Sequence, residues 1–267
     1  MSDDRLFAGS IPELYERHLV PLIFADYARD LAARVQAAQP HHVLELAAGT
    51  GALTRAMAAS LPQATIVATD LNQAMLDEAA RHPHGHRVAW RRADAQALPF
   101  PDESFDAVAC QFGVMFFPEK IEAYREAARV LKPGGRFFFN TWDGIAANEF
   151  AEVVTEALAA LFPDNAPRFM ARVPHGYHDT ARIRAELAAA GFAEAAIDTV
   201  EGRSQAPAAR DVAIAYCQGT PLRSEIEARG AARLEEATRV AEAALAARFG
   251  AGAIAGRIRA HVVTAWR

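Results

Sequence analysis

The chain is poor in several features, and each shortage excludes a role. Among its 267 residues there are two cysteines, Cys110 and Cys217. Two cannot build the framework that staples small secreted domains, so a reducing compartment is expected. Only two lysines occur, Lys120 and Lys132, and arginine takes their place, a bias read here as base composition. Positive charge is not in excess: the net charge is −5 and the pI is near 6.0. A protein that grips phosphate backbones is usually basic, so no nucleic-acid partner is expected. No apolar run approaches the roughly 18 residues a membrane helix needs, and no membrane partner is expected. The start, Met1-Ser2-Asp3-Asp4, lacks an apolar signal core, so the expected location is cytoplasmic.

What is present is material for a core. Hydrophobic residues make up 52% and charged residues 23%, too apolar for disorder and enough for one large α/β domain. No internal repeat or low-complexity linker stands out beyond alanine richness. Through residue 40 the pattern is helical, with Ile11, Leu14, Leu19, Leu22, Ile23, Tyr27, Leu31 and Val35 at helical spacing. Pro21 falls early in a second helix, where proline is tolerated, and Pro40 stops it.

The pattern then alternates. Strands are expected at His41–Ala47, Thr65–Thr69, Arg87–Arg91, Phe105–Cys110 and Arg136–Thr141. Helices are expected at Ala52–Leu61, from an Asn72 cap to about Arg81, and at Glu119–Leu131, with Lys132-Pro133-Gly134-Gly135 as a turn. Alternation of this kind builds a parallel sheet from βαβ units, and Phe137-Phe138-Phe139 suits a strand buried on both faces. The second half is more helical: Ala146–Phe162, an irregular stretch Phe169–His178, a helix capped by Asp179 and ending at Gly191, then helices near Ala208–Gln218 and Arg223–Phe249. Strands at Ala195–Arg203 and Arg257–Ala265 flank the last two helices.

The chemistry concentrates in Val43-Leu44-Glu45-Leu46-Ala47-Ala48-Gly49-Thr50-Gly51, a strand, a glycine turn and a helix start. Glycines let the backbone approach a ligand, and helix N-terminal amides face it. A dinucleotide site usually shows a third glycine, where this chain has Thr54. Glu45 would oppose a pyrophosphate but can accept hydrogen bonds from an ammonium. S-adenosylmethionine (SAM) carries an α-amino group and no phosphate, so the charge favours SAM over NAD. Asp70, at the end of the second strand, can accept both ribose hydroxyls, and Asp94-Ala95 ends the third strand.

Taken together, these segments resemble the class I SAM-dependent methyltransferases, in particular the ubiquinone/menaquinone-biosynthesis-like (methyltransferase type 11) small-molecule group. The matching stretches are Val43–Thr54, Ala68–Ala79, Ala93–Phe117 and Ala127–Phe138, including Leu-Pro-Phe-Pro-Asp-Glu-Ser-Phe-Asp and Arg-Val-Leu-Lys-Pro-Gly-Gly. The resemblance implies a Rossmann-like fold. It has a seven-stranded, mostly parallel sheet with helices on both faces, an N-terminal helical cover and a helical insertion before the last strand. It implies one domain over 1–267: a cover at 1–40, a SAM-binding core at 41–142 and a half with substrate-cap helices at 143–267. It further implies that Glu45 anchors the methionine amino group, that Ala47, Gly49 and Gly51 form the turn admitting the methionine and ribose, and that Asp70 binds the ribose. Leu71 and Met75 would pack the adenine, Asp94 and Ala95 read its edge, Gln111 lie beside the sulfonium, and Tyr15 fold over the SAM carboxylate.

The implied reaction moves the SAM methyl to an O, N or C atom of a small, aromatic or apolar metabolite, leaving S-adenosylhomocysteine (SAH), with no metal. Phe7, Phe24, Phe112, Phe116, Phe117, Trp142, Phe169 and Phe192 could line an apolar pocket. A general base is needed only if the acceptor must lose a proton, and His175 and His178, around Tyr177, are candidates. Cys110 reads as core, because no proline stands beside it, and His82, His84 and His86 read as a solvated loop, not a metal site. Two rivals remain: an NAD(P)-dependent Rossmann oxidoreductase and a non-catalytic SAM-binding protein. A monomer or a homodimer fits equally.

Overall fold

The computed structural model describes Phe7, residues 9–230 and residues 232–267. In chain order its elements are α1 (Ile11–Leu14), a π-helical run (Tyr15–Phe24), α2 (Ala25–Ala37), β1 (His42–Glu45), α3 (Ala52–Ser60), β2 (Thr65–Asp70), α4 (Gln73–Ala79), β3 (Val88–Arg92) and β4 (Phe105–Gln111). Then come α5 (Lys120–Val130), β5 (Leu131–Trp142), α6 (Glu149–Leu161), α7 (Phe169–Arg172), α8 (Thr180–Ala189), β6 (Glu194–Ala206), α9 (Ala209–Gln218), α10 (Leu222–Glu227), α11 (Arg233–Phe249) and β7 (Ile254–Trp266). Among these helices none is long and apolar enough to cross a membrane.

The seven strands lie in the order β3-β2-β1-β4-β5-β7-β6. The pairings among β1 to β5 are all parallel. Between β5 and β7 the backbone bonds Asp143 N–H to Arg259 O and Arg267 N–H to Gly135 O run the strands in opposite directions. The sheet is therefore mixed and mostly parallel, as the alternation in the sequence predicts.

Two compact units divide the chain. One holds Ala25–Thr141, His178–Val200 and Ala260–Arg267. Its central strands β1, β4 and β5 are largely buried on both faces, which explains the phenylalanine triplet. Phe138 joins Val43, Ala107 and Ala109 in a cluster with Leu31 of α2 and Met57 of α3. Phe137 and Phe139 face the other way, where Tyr124 of α5 stacks on Phe139 at 5.6 Å and Phe192 on Phe137 at 5.8 Å. Each such ring removed from water contributes about 2–3 kcal/mol.

The amino ends of three strands meet at Asp106. Its Oδ2 accepts the N–H groups of His41 and His42, at 2.9 and 2.8 Å, and its Oδ1 accepts Lys132 Nζ at 2.6 Å. The other unit holds Phe24 and the described residues before it, Trp142–Tyr177 and Glu201–Arg259. There α6, α9 and α11 pack together, and Ser204 of β6 donates to Leu22 O at 2.7 Å.

Several local expectations change. The helix at the start is continuous from Ile11 to Ala37, and Pro21 lies inside its π-helical part rather than at a helix start. A wider turn takes the proline, which has no N–H to give and would crowd the carbonyl four residues back in an α-helix. Strand β1 ends at Glu45, short of Ala47, because Ala47 turns left-handed at φ +51°. The Lys132–Gly135 turn lies within β5, as a bulge: Phe105 pairs with Leu131, but Ala107 pairs with Arg136. Asn72 precedes α4 but its side chain makes no cap; its amide leans toward Asp70 Oδ1 at 3.4 Å. Asp179 does cap α8, accepting from Ala181 N–H at 2.9 Å and Arg182 N–H at 3.2 Å. The stretch after Phe169 opens with the short helix α7. The expected helix Arg223–Phe249 is two, α10 and α11, separated around Gly230, whose φ of +137° no helix holds.

Asp106 sets a testable stability term. Burial acts to raise its carboxyl, but the Lys132 ammonium and the two backbone donors outweigh it and hold the carboxyl below its ordinary 3.8. Its contribution is present above that value and is lost as pH falls through the depressed one. Asp106→Ala is expected to cost about 1–2 kcal/mol at neutral pH, with the difference from wild type shrinking under acid, read from urea midpoints.

Candidate active site

The site grows from the turn after β1. Leu46 N–H still donates to Ala109 O of β4 at 2.8 Å. Two residues later the chain has swung to the other neighbour, and Ala48 N–H donates to Thr69 O of β2 at 2.8 Å. The swing is made by left-handed backbone at Ala47 (φ +51°), Gly49 (φ +57°) and Gly51 (φ +84°), the last just before α3. A side chain at Gly51 would stand 2.7 Å from the Trp90 ring, so glycine is required there on both counts. On the β4 side, a Cβ at Gly113 would lie 2.5 Å from that of Ala47 and 2.7 Å from Cys110 Sγ. Beside it Phe112 is also left-handed, at φ +50°, and its N–H donates to Asn140 Oδ1 at 2.9 Å.

Two carboxylates brace this turn. Asp70 Oδ2 accepts Gly49 N–H at 2.9 Å, and its Oδ1 accepts Asn72 N–H at 2.8 Å. Burial raises the Asp70 carboxyl above its ordinary value, against the lowering effect of those backbone donors. Glu45 is buried at the end of β1. Thr54 Oγ1 of α3 donates to its Oε2 at 2.5 Å, and Thr69 Oγ1 donates to its backbone oxygen at 2.7 Å. Burial pushes the Glu45 carboxyl up to about 8, with Thr54 and Arg55 pulling down and Asp70 pushing up.

The remaining candidates are distributed as follows. Leu71, directly after Asp70, is an exposed large apolar side chain at 37%. Met75 is buried, with its methyl 3.5 Å from the position a Gly49 Cβ would take. Asp94 and Ala95 follow β3 half-buried, and Asp94 Oδ1 accepts Gln96 N–H at 2.9 Å. Gln111 ends β4 and pairs with Asn140 of β5. Glu45, Ala47, Gly49, Gly51, Asp70, Leu71, Met75 and Gln111 thus gather around the carboxyl ends of β1, β2 and β4. That is the edge where open α/β sheets bind ligands.

Tyr15, His175 and Trp142 belong to the other unit. There Tyr15 stacks on Phe24 at 5.1 Å, Phe24 meets Trp142 at 5.9 Å, and Trp142 meets His175 at 6.3 Å. His175 is buried and its Nδ1 lies 2.9 Å from Asp143 O, so that nitrogen carries the proton and donates. His178 is exposed beside the Asp179 cap. Cys110 is buried, and burial pushes its thiol far up. His82 Nε2 sits 3.1 Å from Glu78 Oε1 in the loop before β3. Sequence reasoning missed the supporting roles of Thr54, Thr69 and Asn140. No motif marks them, because each is defined by the strand or helix it reaches across to.

Comparison with known proteins follows the same segment. Residues 43–135 match the methyltransferase domain family. A demethylmenaquinone methyltransferase of Thermus thermophilus is 34% identical over 164 residues, 57% of this chain and 74% of that protein. The chain belongs to the SAM-dependent methyltransferases. A ubiquinone/menaquinone biosynthesis C-methyltransferase of Hahella chejuensis is 41% identical over 99 residues, which span 35% of this chain and only 40% of that relative. The YcgJ protein of Bacillus subtilis superposes with a TM-score of 0.56 at 20% identity, over 91% of this chain and 98% of that one, a likeness of fold.

Two outcomes test this methyltransferase turn. A Glu45 carboxyl raised from 4.5 to about 8 supplies stability that is complete below 4.5 and lost as pH rises through 8. Glu45→Gln is therefore expected to match wild type near pH ~4 and exceed it by about 1–3 kcal/mol near pH ~8.5 in thermal unfolding without ligand. Gly113→Ala forces a methyl against Ala47 and Cys110 and is expected to lose about 1–3 kcal/mol at either pH.

Proposed function

We propose that the protein transfers the methyl group of SAM to an O, N or C atom of a small aromatic or apolar metabolite, releasing SAH. The observation that carries this reading is the braced turn: a left-handed Ala47–Gly51 loop tied to Asp70 at the carboxyl ends of β1 and β2. The residues fit SAM. Glu45 has Oε1 for the α-ammonium while Thr54 occupies Oε2. An ammonium there also restores the charge that burial disfavours. Asp70 supplies carboxylate oxygens for the ribose hydroxyls. Leu71 offers exposed apolar surface for the adenine ring, Met75 backs it, and Asp94 with Ala95 reads its edge. Gln111 stands on the β4 side, toward the methyl.

Bound SAM supplies a sulfonium methyl already activated for in-line displacement, so the reaction asks for no metal. What remains for the protein is to hold the two reactants in line and exclude water. The relatives named for quinone biosynthesis support a small-molecule acceptor. The NAD(P) reading fares worse, because a pyrophosphate would sit against the buried Glu45. Isothermal titration of SAM and SAH decides. Micromolar binding to wild type, reduced at least about tenfold in Asp70→Ala, is expected from the loss of a buried ligand oxygen. Binding of NAD in place of SAM would overturn the proposal.

A further inference from the structure

Asn140 of β5 is fully buried. Its Oδ1 accepts Phe112 N–H, and that bond orients the amide, with its oxygen toward β4 and its nitrogen away. The nitrogen, Nδ2, has no hydrogen-bond partner among the described residues. Buried donors are nearly always paired, and leaving one unpaired costs its desolvation with no return. Holding Phe112 needs only the amide oxygen. The amide N–H₂ group is left without a bond among the described residues.

Its position says what it faces. Val43, Ala107, Ala109 and Phe138 form one cluster on one face of the sheet. Two residues further along, side chains return to the same face, so Glu45, Gln111 and Asn140 share that face at the carboxyl ends of β1, β4 and β5. Glu45 lies at the turn after β1, Gln111 is next on β4, and Asn140 lies one strand further on β5. Thr141 Oγ1 is also buried without a partner among the described residues, but alternation puts it on the opposite face.

Resting on the methyltransferase reading, we propose that Asn140 Nδ2 is a specificity-determining donor to an oxygen of the methyl acceptor, and that the acceptor is a phenol or an enol rather than an amine. An oxygen nucleophile has a lone pair to attack and another to accept from Asn140. In a carbon nucleophile of phenol or enol type, the oxygen accepts while the neighbouring carbon attacks. An amine has a single lone pair, which the transfer consumes, and its N–H groups would meet another donor.

The test uses the whole chain loaded with SAH and two flat probes of one shape, 1-naphthol and 1-naphthylamine. Wild type is expected to bind 1-naphthol about tenfold or more tightly than 1-naphthylamine, the discrimination one buried donor supports. Asn140→Asp keeps the acceptor for Phe112 and removes the amide donor. It is expected to erase that preference and leave SAH affinity within about threefold, a pattern that mere loss of structure would not give. Asn140→Ala serves in its place if the aspartate variant does not fold. Equal affinity for the two probes in wild type, the failure of both to bind included, overturns the proposal. So does a parallel loss of SAH and naphthol binding in the variant, which would place Asn140 with the cofactor. No SAH binding by wild type defeats the cofactor reading itself and this proposal with it.

Discussion

The hydrogen bond from Gly49 N–H to Asp70 Oδ2 is the constraint on which the site depends. It fastens the turn after β1 to the end of β2. The turn needs fastening, because it runs through left-handed backbone at Ala47, Gly49 and Gly51. Alanine in that region is strained by about 1–2 kcal/mol, so the surrounding bonds must over-determine it. They do so from both sides, through Leu46 to β4 and Ala48 to β2. The same crowding forbids a side chain at Gly113 and sets how closely the β4 loop approaches.

Charge is arranged around that turn at a cost to stability. Glu45 and Asp70 are both buried, and burial raises both carboxyls. Among the described residues neither has an arginine or lysine in hydrogen-bond contact. Their partners are hydroxyls and backbone amides, which orient a carboxylate without neutralising it. Elsewhere the chain pairs its carboxylates with cations, as at Asp106 with Lys132 or Asp143 with Arg259. Carboxylates left electrostatically hungry in a turn are suited to a ligand that brings its own positive charge, and SAM brings an ammonium and a sulfonium.

The sheet decides how these groups share space. Because β1 to β5 are parallel, the carboxyl ends of those strands fall on one edge. Because every strand alternates, that edge is split into two faces. The phenylalanine triplet fills both faces below it, with Phe138 on one and Phe137 and Phe139 on the other. Above Phe138 the polar set Glu45, Gln111 and Asn140 takes over. The apolar interior thus ends at a polar edge, and the burial that stabilises the strands also removes water from Glu45 and Asn140 at their tips.

The sequence by itself determined the strand–helix alternation, the glycine turn and the order of its acids, because these are local patterns read within a few residues. Gly49, Gly51 and Asp70 were legible for that reason, and so was the Asp179 cap. The tertiary structure alone decided what crosses between elements. It ended β1 at Glu45, kept Lys132–Gly135 within β5 as a bulge and let Pro21 sit inside a π-helical run. It also gave Glu45 to Thr54 and Phe112 to Asn140. Those partners lie nine and twenty-eight residues apart in sequence. A residue type signals its own propensity but not the burial of its neighbour across a strand. That burial raises the Glu45 carboxyl and leaves Asn140 Nδ2 without a partner among the described residues, and it exists only once the sheet has closed.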